Sequence, residues 1–187
     1  MEEIRLPHSG WGKGTVPVSH APDHGVTVVE IKGGVLSPCY VYGLIDTPDR
    51  LEQGDMLVTT NFGGHRARGV VPREYTHLSV KGGMSTNLPR WRVGFRTADS
   101  LSELVESAEG RHPDVVPYNG ARTTVRLEVG NGHADITHRP LNGGGETLLH
   151  LGQGPFRGTI ELPGPGLIDV DCLVRWSITV PGGPTPM

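Results

Sequence analysis

Between Arg122 and Val129 apolar and polar residues alternate without a break. Thr123, Val125, Leu127 and Val129 share one face of an extended chain; Arg122, Thr124, Arg126 and Glu128 share the other. A period of two belongs to a strand with one side in a core and the other in water. Shorter β-branched and apolar runs recur on both sides of it. Val26–Ile31, Ser37–Tyr42, Asp55–Thr60, Ala67–Val71, Thr76–Val80 and Arg90–Phe95 precede it, and His133–Ile136, Thr147–Leu151, Gly158–Leu162, Leu167–Leu173 and Trp176–Val180 follow. Turn chemistry separates them: Gly33-Gly34, Asp46-Thr-Pro-Asp49 and Phe62-Gly-Gly64. Many short strands punctuated this way predict an all-β sandwich or barrel.

The runs also repeat in order. Val29-Glu-Ile-Lys-Gly-Gly34 aligns with Val116-Pro-Tyr-Asn-Gly-Ala121, and Val41-Tyr-Gly43 with Glu128-Val-Gly130. Leu57, Gly63 and Arg68-Gly-Val-Val71 answer Leu148, Gly154 and Arg157-Gly-Thr-Ile160. Leu78-Ser-Val80 answers Ile168-Asp-Val170, and Arg90-Trp-Arg-Val-Gly-Phe95 answers Arg175-Trp-Ser-Ile-Thr-Val180. Ordered blocks predict a tandem repeat of two small antiparallel β-sandwich or jelly-roll-like units, at residues 25–98 and 113–187. Residues 1–24 read as an irregular N-terminal arm. Residues 99–112 read as a helical linker, because Leu101, Leu104, Val105 and Ala108 have helical spacing. Ser100 and Glu103 form a capping box, and Gly110 stands where a helix would stop.

Composition narrows the function classes. The net charge is −3, with 17 Lys and Arg against 20 Asp and Glu. The basic residues are scattered along the chain, His65-Arg-Ala-Arg68 being the densest group, so no nucleic-acid partner is expected. No apolar stretch approaches the ~20 residues of a membrane span, so no membrane partner is expected either. Met1–His8 lacks the basic start and apolar run of a secretory leader, which points to a cytoplasmic protein. The two cysteines, Cys39 and Cys172, occupy non-matching points of the repeat. They read as buried free thiols, with a disulfide between the copies as the alternative.

Candidate chemistry is sparse. His133 and Asp135 fall on one strand face, and with His138 they could ligate zinc or iron. Surface histidines are the simpler reading, and no metal or other cofactor is expected. Asp169 and Asp171 alternate with apolar residues; a solvent face explains them better than calcium, whose ordered ligand loop is missing. No Gly-x-Ser-x-Gly elbow occurs, and Gly10-Trp-Gly-Lys-Gly-Thr15 lacks phosphate-loop spacing. Trp91 and Trp176 sit at matching strand positions, as core anchors do. Trp11 has no counterpart and sits among glycines, so it is the aromatic best suited to a ligand. Arg66 and Arg68, in the densest basic group, are the accompanying candidates.

Gly154-Pro-Phe-Arg-Gly158 followed by Arg175-Trp-Ser-Ile-Thr-Val180 resembles small tandem β-sandwich proteins of high-GC bacteria. The likeness lies mainly in the second copy. It implies a fold and no reaction. The expectation is a non-catalytic binding or assembly module with a protein partner. One alternative is a small-ligand or carbohydrate-binding protein using the Trp11 arm or a cleft between the copies. A second is a metal-dependent enzyme using His133, Asp135 and His138.

Overall fold

The computed structural model describes residues 6–22, 25–83, 90–141 and 144–181. The chain divides into two compact units, Met1–Thr97 and Ala98–Met187. The first holds β1 (His8–Trp11), β2 (Gly14–Pro17), β3 (Thr27–Lys32), β4 (Cys39–Asp46), β5 (Leu51–Thr59), β6 (Arg66–Val71), β7 (His77–Gly82) and β8 (Arg90–Thr97). The second holds β9 (Ser107–Gly110), β10 (Asp114–Tyr118), β11 (Thr123–Val129), β12 (His133–Pro140), β13 (Thr147–Gln153), β14 (Phe156–Leu162), β15 (Gly166–Cys172) and β16 (Trp176–Thr179). Every pairing is antiparallel.

The first unit's sheets run β1-β8-β3-β6 and β2-β7-β4-β5. The second unit's run β9-β16-β11-β14 and β10-β15-β12-β13. The order is the same strand for strand, counted from the first strand of each unit. Both sheets of a unit feed one apolar cluster. Val29, Ile31, Trp91 and Val93 meet Val16, Val41, Leu78 and Val80 in the first. Val125, Leu127, Trp176 and Ile178 meet Val116, Ile136, Ile168 and Val170 in the second. Cys39 and Cys172 are buried and free, and burial pushes both thiols up in pKa.

Each unit closes its first strand with the same device. Trp91 lies opposite Gly10, and Trp176 opposite Gly110. A Cβ on Gly10 would stand 2.3 Å from Trp91 Cζ2, and one on Gly110 2.7 Å from Trp176 Cζ2. The indoles therefore lie where only glycine leaves room. Trp91 Nε1 donates to the carbonyl of Gly12 and Trp176 Nε1 to that of His112, both at 3.0 Å. The two tryptophans are 4% and 1% exposed, as expected of core anchors.

Three expectations need correction. The helical linker is absent: Ala98–Ser100 forms a single 3-10 turn, and Ser107–Gly110 is strand β9. Spacing at 101, 104, 105 and 108 suits a helix, yet Leu104 is buried and Val105 is 69% exposed. Pairing with β16 and the seat for Trp176 overrode local propensity. Nor are residues 8–17 an irregular arm, since they form β1 and β2. With β1 and β2 counted, the first two aligned blocks lie one strand out, since they pair β3 with β10 and β4 with β11. The last three blocks fall on corresponding strands. Gly63 and Gly154, matched among them, take left-handed φ of 100° and 87° in the turns after β5 and β13.

Candidate binding face

In β8 the side chains at 91 and 93 enter the core, so Arg90, Arg92 and Arg96 emerge on the outer face of the sheet. The same parity puts Lys32 and Glu30 of β3, and Arg66 and Arg68 of β6, on that face. Cross-strand register assembles them in rows. Ser9, Arg92, Lys32 and Arg66 are successive partners across four strands. Trp11 and Arg90 form the next row, and Gly94, Glu30 and Arg68 the row on the other side. Strands lie ~4.8 Å apart, so the four-residue row is ~14 Å long.

Six cations and one carboxylate give this face a formal charge of +5. The whole chain is −3, so the remainder is −8. Glu30 is fully buried and binds three guanidinium groups. Arg66 Nη1 is 3.0 Å from Oε1; Arg68 Nε and Arg96 Nε are 3.1 and 2.8 Å from Oε2. A carboxylate taken from water needs such compensation. Arg92 and Lys32 are exposed and form no ion pair among the described residues. Trp11 is 65% exposed, and the Arg90 guanidinium sits 5.7 Å from its ring centroid.

The second unit supplies an internal comparison. Aligning Trp176 with Trp91 puts Arg175 in the place of Arg90, Ser177 in that of Arg92, Glu128 in that of Lys32 and Arg157 in that of Arg66. Here the arginines are each held by a carboxylate. Glu128 takes Arg126 at 3.0 Å and Arg157 at 3.1 Å, and Glu109 takes Arg175 at 3.2 Å. A depression of about 520 Å³ bounded by Glu128, Phe156, Arg157, Arg175 and Ser177 lies on this ion-paired face. Its cations are already engaged by carboxylates.

The sequence candidates separate accordingly. Trp11, Arg66 and Arg68 share the cationic face, although Arg66 and Arg68 are held by Glu30. Arg90, Arg92, Arg96 and Lys32 were missed. Their signal was the alternation Arg90-x-Arg92 and Arg66-x-Arg68, basic residues at the period of a strand. The metal candidates do not converge. His133 and Asp135 point outward from β12, while His138 is buried, its Nε2 donating to the Gly164 carbonyl at 3.0 Å. His138 Nδ1 has no partner among the described residues. His150 packs on Phe156, with ring centroids 4.4 Å apart. Among the described residues no group of three or more His, Cys, Asp or Glu could hold a metal ion. Asp171 is exposed, as a solvent-face reading requires, and lies opposite Asp135. Asp169 is ion-paired to Arg139 at 3.1 Å, and burial pushes its pKa up to about 6 against the pull of that arginine.

No family model matches the chain, and no curated protein matches it. Among solved structures it is similar to a chain from Parabacteroides distasonis ATCC 8503 described as a "putative secreted protein". That likeness covers 99% of this chain and 80% of the other, at 9% identity and a TM-score of 0.24. At such a score it carries no argument about fold or function. No helix among the described residues is long and apolar enough to cross a membrane.

Proposed function

We propose that this chain is a non-catalytic binding module, a tandem jelly-roll repeat whose first unit holds an anionic partner. One observation carries the reading. The same sheet carries a net +5, with Arg92 and Lys32 outside any ion pair among the described residues, in one unit, and arginines each held by a carboxylate in the other. Charge is a surface property that fold does not require. Its asymmetry between units of equal strand order is the mark of a use. Arg92 and Lys32, exposed and in no ion pair among the described residues, are the groups that can meet a ligand; Arg66, Arg68 and Arg96 set the field around them.

The test uses inorganic polyphosphate, a polyanion with neither sugar nor base. Arg92→Gln with Lys32→Gln should weaken binding and lower its log–log salt dependence by on the order of one per cation removed. Arg157→Gln with Arg175→Gln, at the second unit's counterparts of Arg66 and Arg90, should leave binding unchanged. Equal loss from both pairs would sink the assignment to the first unit.

Assembly between copies is the second reading, favoured by a different observation. On the second unit's other sheet Asp135 faces Asp171 on one side and exposed Leu151 on the other, an acidic and apolar surface that could meet the cationic face of another copy. Concentration-dependent sedimentation abolished by Arg92→Gln would support it; a single monomeric species at all concentrations would dismiss it.

A further inference from the structure

Granting the anionic-ligand reading above, we infer that the occupant of the cationic face is a linear anionic polysaccharide, laid across the strands with one ring stacked near Trp11. The shape of the charge argues for it. Arg92, Lys32 and Arg66 stand in line across three neighbouring strands, a span of ~10 Å, with Arg92 and Lys32 outside any ion pair among the described residues and Arg66 turned to Glu30. A strand spacing is about the length of one sugar ring, so an acidic polysaccharide laid across the strands can bring carboxylates to Arg92 and Lys32 over a few rings, within the field of Arg66. Guanidinium suits carboxylate geometry, and Arg92 supplies a free one.

Trp11 adds the second element. It stands on the edge strand in the row next to Ser9 and Arg92, with its indole 65% exposed and backed by Arg90. An exposed, positioned indole presents an apolar plane to the C–H face of a sugar. Single-stranded nucleic acid is less well served. Its binding platforms stack successive bases on several aromatics along a groove. Among the described residues the outer face of this sheet has one aromatic and six cations.

The experiment measures binding of a carboxylated hexasaccharide of the alginate type to the full chain, beside inorganic polyphosphate and an oligothymidylate. Trp91 and Trp176 are buried, so acrylamide quenching of tryptophan fluorescence reports chiefly on Trp11. The hexasaccharide should shield Trp11 from quencher. Trp11→Ala should weaken it about five- to tenfold, the scale of an aromatic contact, and leave polyphosphate affinity unchanged. Arg92→Gln with Lys32→Gln should weaken both. These side chains are exposed, and unchanged melting midpoints would verify that the variants fold. Polyphosphate binding without hexasaccharide binding would overturn the polysaccharide and spare the anionic-ligand reading. So would hexasaccharide affinity indifferent to Trp11→Ala, or tighter binding of the oligothymidylate. Failure of all three probes would overturn both.

Discussion

Removing the Trp176 side chain should change what Gly110 tolerates. In the intact protein a Cβ at position 110 would lie 2.7, 2.8 and 2.9 Å from Trp176 Cζ2, Cε2 and Nε1. None of these atoms is the loose end of a flexible chain. The indole is 1% exposed, and Nε1 is committed to the His112 carbonyl at 3.0 Å. Gly110→Ala must therefore move the ring or the strand, at a cost of about 1–3 kcal/mol for an overpacked site. Trp176→Ala empties the seat and should cost about 3–5 kcal/mol. With the ring gone, the same Gly110→Ala change meets no obstacle. It gains instead the roughly 0.5–1 kcal/mol by which alanine improves on glycine within a strand. The double variant should thus be at least as stable as Trp176→Ala alone. Urea unfolding of the four proteins gives the coupling directly, provided the slopes stay equal. Additive losses would refute the claim that glycine is present to seat the indole.

Other consequences follow from burial and charge. Glu30→Gln removes the carboxylate that three guanidinium groups share and should cost about 3–5 kcal/mol; a loss below ~1 kcal/mol would mean that water screens the cluster. Asp169 titrates near 6 when folded against 3.8 as a free side chain, so the folded state holds its proton longer. Its contribution therefore falls as pH rises from about 4 to 6, and Asp169→Asn should remove that part of the slope in denaturation measured across this range. Leu104→Asp, at a core position, should cost several kcal/mol, whereas Val105→Asp should stay within about 0.5 kcal/mol; comparable losses at both would restore a helix-like seam.

What could be read from the sequence was local. Alternation in Arg122–Val129 marks β11, and the matched Arg-Trp pairs mark the anchors of β8 and β16. The stretch 101–108 was ambiguous because its apolar spacing fits a helix and its buried Leu104 fits an extended chain equally well. Only the partner strand decides between them. His133 and His138 could have been separated at once, since residues five apart on a regular strand face opposite ways. The cationic face was hidden for a different reason. Its residues come from β1, β3, β6 and β8, spread between positions 11 and 96, and become neighbours only through the order β1-β8-β3-β6. Charge counted along the chain cannot reveal a cluster built by topology.

The central claim is that the first unit's outer sheet face binds an anionic partner and the second unit's does not. Amide chemical shifts followed by NMR during titration with inorganic polyphosphate test it most directly. The expected result is movement confined to β1, β3, β6 and β8, largest at Arg92 and Lys32. Movement centred on β9, β11, β14 and β16, or none at low salt, would contradict it.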